Sequence, residues 1–129
     1  MLKIRFEWKV QKKIYDLEER TNEFAKSIRC FIRKLEINIW NREDIKQVVR
    51  SSSSVAANYI EDNEKLGDND FLMKLRICIK EIKETILWLR LIDIHSEDLE
   101  IERTHLINEA IELKNIVGAI CKNNISKYN

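Results

Sequence analysis

Few side chains in this chain are spaced for chemistry. The first set is Glu102-x-x-His105. That spacing puts a carboxylate and an imidazole on one helix face, as in carboxylate-bridged di-iron bundles. Such a centre needs a second Glu-x-x-His motif and further inward carboxylates, and the sequence has no second motif. The pair therefore reads as a solvated helix face, and no metal ligand is assigned. His95 reads as a polar residue of a link. Glu61, Glu81 and Glu84 form a second acidic set, with Arg50, Lys74 and Lys80 near them in the pattern. No nucleophile or paired His accompanies them, so ion pairing is favoured over acid–base work. GxSxG is absent, and two glycines leave no room for a P-loop or a dinucleotide fingerprint. No catalytic residue and no cofactor is assigned; the expectation is a non-enzymatic protein.

The elements that position these residues are helices. The chain has 129 residues, no Pro and two Gly, which suits long helices with short connections better than the tight turns of an all-β fold. Asp16 and Glu19 have capping-box spacing, and Leu17, Phe24, Ile28, Phe31 and Leu35 follow at helical intervals. Glu36 to Trp40 breaks the pattern. Asn41 is an expected N-cap for a second helix running to about Lys65, with Gly67 at its C′ position. Asp68 or Asn69 starts a third helix reaching about Ile94. Its apolar stripe is wider than one packing face needs, which predicts a second buried surface. Ser96 caps a fourth helix with Leu106, Ile107, Ala110, Leu113, Val117 and Ile120 inward. The expected fold is all-α: an antiparallel up-and-down four-helix bundle over residues 15–125, preceded by an N-terminal arm, residues 1–14.

Four serines, Ser51 to Ser54, lie inside the second helix. At about 100° per residue they point in four directions. Ile45, Val48, Val49, Ser52, Val55, Ala56 and Tyr59 fall on one side, the expected core stripe. Gln47, Arg50, Ser51, Ser54, Asn58 and Glu61 fall opposite as one polar ribbon, and Ser53 lies on a flank. Each serine costs roughly 0.5 kcal/mol of helix propensity against Ala. Close approach of a neighbouring helix, or a hydrogen-bond network, would offset that loss.

Lys+Arg is 23 and Asp+Glu is 22, so bulk charge does not favour nucleic acid. The basic residues Lys3, Arg5, Lys9, Lys12 and Lys13 are nonetheless concentrated at the N-terminus, where they are candidate nucleic-acid contacts. Leu2, Ile4, Phe6, Trp8 and Val10 alternate with them, a strand-like period that could pair between subunits. Trp8 and Trp40 could contact a partner, while Trp88 reads as a core or interface anchor. Cys30, Cys78 and Cys121 have no CxxC spacing and read as buried thiols of a reducing cytoplasm. No apolar run is long enough for a membrane span.

Several of these residues fall in one ordered series. Arg20…Phe24-Ala25 precedes Gln47-x-x-Arg50-Ser51-x-x-Ser54-x-x-x-Asn58-x-x-Glu61. Phe71-x-x-Lys74-Leu75 and Lys80-Glu81-x-x-Glu84-Thr85-x-x-Trp88-Leu89 follow. The series resembles the four-helix bundle family encoded in intervening sequences of bacterial 23S ribosomal RNA genes. The resemblance implies a cytoplasmic bacterial bundle that forms a homopentamer, with no known enzymatic activity. A related branch, the accessory proteins of diversity-generating retroelements, implies an alternative role in binding RNA or a reverse transcriptase. The functional expectation is a self-assembling scaffold or interaction module whose first partner is itself.

Overall fold

A computed structural model of the protein describes residues 16–59 and 68–128. Four helices occupy them: α1 (Leu17–Ile32), α2 (Arg42–Asn58), α3 (Asp68–Leu91) and α4 (Glu97–Tyr128). There is no strand among the described residues. The expected N-terminal arm lies outside them. Each helix packs on two others: α1 on α2 and α4, α3 on α2 and α4. Cross-helix pairs run in opposite directions along the chain. Arg20 meets Glu109 and Lys34 meets Glu102; Val55 meets Cys78 and Arg50 meets Glu84. The architecture is an antiparallel four-helix bundle.

The core follows from the helical spacing of apolar residues. Phe24, Ile28 and Phe31 of α1 meet Val48 and Val55 of α2, Leu75, Ile82 and Leu89 of α3, and Leu113 and Val117 of α4, all buried. Each such side chain contributes roughly 1.5–3 kcal/mol of transfer free energy. Cys78 is buried too. Burial, and secondarily the negative charge of Glu81, pushes its thiol up to about 12. Cys30 differs from the sequence expectation and is exposed on α1.

Two helix ends differ from the expectation. Helix α2 ends at Asn58, not near Lys65, because Tyr59 turns to extended backbone at φ −91° and ψ 97°. Asn58 Nδ2 folds back within the last turn, donating to the Ser54 carbonyl at 2.9 Å. Helix α3 ends at Leu91 rather than Ile94. Its last carbonyls receive the Arg103 guanidinium from α4, which donates to Leu89 O at 3.3 Å and also to Ile92 O.

Asn41 makes no side-chain cap bond. It is buried and joins the two links at one end of the bundle. Its Nδ2 donates to Asp93 O at 2.9 Å, and its Oδ1 accepts from Asp93 N at 2.8 Å. Asn38 turns the chain into α2 instead, accepting from the backbone N–H of Trp40 at 3.0 Å and of Asn41 at 2.9 Å. The Asp16 and Ser96 caps are present: Asp16 Oδ1 accepts from Glu19 N at 3.0 Å, and Ser96 Oγ from Leu99 N at 3.4 Å.

Candidate functional site

The serine hydroxyls divide their contacts, with Ser52 and Ser53 both donating to the Val49 carbonyl, at 3.3 and 2.7 Å. Ser51 is fully buried, and its Oγ lies 2.7 Å from Thr85 Oγ1 of α3. Thr85 also donates to the Glu81 carbonyl at 2.8 Å. Ser52 is fully buried as the small member of the core face. Ser53 accepts from Arg29 Nη2 of α1 at 2.7 Å. Ser54 Oγ accepts from Asn58 Nδ2 at 2.9 Å. The buried arc of α2 is therefore Val48, Ser51, Ser52 and Val55, turned toward Ser51 relative to the expected stripe. Ile45, Val49 and Ala56 are only half-buried. The cause is packing: α2 meets both α1 and α3, and only a side chain as small as Ser51 fits beside Thr85.

Two members of the polar ribbon, Arg50 and Ser51, bond to α3. Arg50 Nη2 donates to Glu84 at 2.8 Å and Nη1 to Glu81 at 3.2 Å, while Nε donates to Gln47 Oε1 at 3.1 Å. The bond to Glu84 raises the Arg50 pKa further above its ordinary value. Glu81 is buried, whereas Arg50 is half in water, which screens the pair. One cation with two carboxylates gives a structural ion-pair cluster. Lys74 is half-buried and Lys80 exposed, and neither joins this cluster. Trp88 is half-buried, and its Nε1 is buried with no hydrogen-bond partner among the described residues. Glu61, Lys3, Arg5, Lys9, Lys12 and Lys13 lie outside the described residues.

The other candidate chemistry does not converge. Glu102 accepts from Lys34 Nζ at 3.1 Å, and His105 is exposed. His95 pairs with Asp93 at 3.1 Å at the surface. Among the described residues no three His, Cys, Asp or Glu side chains are grouped to hold a metal ion. No helix among them is long and apolar enough to cross a membrane.

Two features escaped sequence reasoning. Arg20, with a side chain only 7% exposed, binds Glu109 through Nε at 2.9 Å and Nη2 at 2.7 Å, and reaches Glu112 at 3.0 Å. The Glu109 bond is the main reason its pKa rises. In the sequence Arg20 showed only as a cation at an apolar helix position and as the first residue of the ordered series, and Glu109 is 89 residues away. The second feature is an apolar end. Among the described residues seven large hydrophobic side chains are exposed: Ile37, Ile39, Trp40, Met73, Leu87, Leu91 and Ile101. All but Met73 lie where the α1–α2 and α3–α4 links meet, in the links or within about a turn of them. Ile37, Ile39 and Trp40 are 73%, 83% and 73% exposed.

With this geometry in hand, comparison with known proteins establishes the fold. The bundle is similar to the crystal structure of a protein of unknown function from the S23 ribosomal protein family of Bacteroides thetaiotaomicron VPI-5482. The TM-score is 0.65 and the identity 24%, over 81% of this chain and 97% of that one. No family model and no curated protein matches the chain.

Proposed function

We propose that this protein is a non-enzymatic helical bundle that self-assembles in the cytoplasm and serves as a scaffold or interaction module. The sequence resemblance to the proteins of 23S ribosomal RNA intervening sequences makes a homopentamer the expected assembly. The observation that carries the reading is the apolar end. Six large apolar side chains gathered at one end of a small bundle form the kind of surface that a monomer leaves wet and an oligomer covers. The Arg50–Glu81–Glu84 cluster supports a structural role for the polar residues, since its charged groups are spent on one another. Light scattering at micromolar concentration tests the reading: a mass of several subunits is expected.

A second reading, RNA binding by the N-terminal basic residues, draws on five cations against one carboxylate in the first thirteen positions. It predicts RNA retention that falls steeply with salt and vanishes when residues 1–13 are deleted. No retention at low salt contradicts it.

A further inference from the structure

The apolar end is also acidic. Residues 33–44 and 87–103, which build it, carry eight carboxylates against five Lys or Arg. Five of those carboxylates fall between Asp93 and Glu102, where the α3–α4 link enters α4. A partner for this end must therefore be apolar and basic. That composition disfavours an anionic membrane or a nucleic acid, whose phosphates would meet like charge.

The chain contains such a segment. Residues 1–13 carry five cations and one carboxylate, and Leu2, Ile4, Phe6, Trp8 and Val10 recur at every second position. In extended form that period puts all five on one side and most of the cations on the other. From these complementary compositions we infer that the N-terminal segment of one copy docks on the apolar, acidic end of a second copy. The inference rests on the self-assembly reading and names its contact.

The segment joins the bundle at Leu17, and α1 carries the chain from there toward the apolar end. α1 has 16 residues, about 24 Å, and extended chain advances about 3.3 Å per residue, so the segment is long enough for the end of its own copy as well as for that of a neighbour. The self-assembly reading selects the neighbour, and a mixture of two variants separates the two arrangements. A recess of about 270 Å³ lies between the links, where Leu35, Ile94 and Leu99 line it together with the charged Lys34, Glu36 and Asp93. The contact joins unlike surfaces. It is therefore heterologous, and it closes into a ring when the rotation between copies allows.

The test uses two full-length double variants: F6D/W8D, which spoils the segment, and I39D/W40D, which spoils the patch at two exposed positions. Circular dichroism checks that both stay helical. Each alone is expected at the single-chain mass of 15.5 kDa, and an equal mixture at twice that mass, because one intact segment then meets one intact patch. Either variant alone keeping the wild-type mass overturns the inference while leaving self-assembly standing. A mixture that stays monomeric overturns it as well, since the segment then serves its own bundle. Wild-type mass kept by F6D/W8D together with lost RNA retention overturns it in favour of a nucleic-acid role. A monomeric wild type removes both the inference and the self-assembly reading.

Discussion

Arg20 is the residue whose loss should cost most among the charged side chains. Its guanidinium is nearly excluded from water and makes bidentate contact with Glu109, which is itself only a third exposed. Arg20→Ala is expected to destabilise the bundle by about 2 kcal/mol in urea unfolding, and Arg20→Met by clearly less, because Met keeps the packing of the stem. An equal cost for both would place the whole effect in the lost guanidinium and its ion pair rather than in the alkyl stem. The thiols give a second residue-scale expectation. Exposed Cys30 should react with a thiol reagent at pH 8, while Cys78 should not react until the protein unfolds. Cys78 has a folded pKa of about 12 against an ordinary 9.0, so its contribution to stability is complete below pH 9 and is lost as pH rises toward 12. Cys78→Ala should flatten that alkaline loss. The polar partners of these residues were not legible in the sequence. Glu109 and Thr85 stand far from Arg20 and Ser51 in the chain, and periodicity carries no information about which helix faces which.

At the scale of elements, periodicity did most of the work. All four helices, both side-chain caps and nearly every core residue follow from apolar spacing and from Asp16 and Ser96. What failed was local competition at ends. Asn41 has the residue type of an N-cap but places its amide on Asp93 across the bundle, and α2 stops at Asn58 where Tyr59 turns extended and is buried. Both outcomes depend on tertiary neighbours. One consequence is testable within α4. Gly118 lies in the helix interior, and an added Cβ would meet nothing within 4 Å. Gly118→Ala should therefore raise stability by about 0.5–1 kcal/mol through backbone entropy and helix propensity. A lower melting temperature would show that something packs against that face.

At the scale of the whole molecule, the wide apolar stripe of α3 pointed to more buried surface than one bundle supplies. Leu87 and Leu91 are the part of it left exposed. The sequence did not show that Ile37, Ile39, Trp40 and Ile101 would join Leu87 and Leu91 at one end, because that grouping exists only once the helices are antiparallel. The buried charges Arg20 and Glu81 pair within the chain, at Glu109 and Arg50. Assembly is the central claim, and the mass of the purified full-length protein tests it most directly. Light scattering across the micromolar range should return a multiple of 15.5 kDa, with five chains as the expected number. A single-chain mass throughout that range would contradict the account.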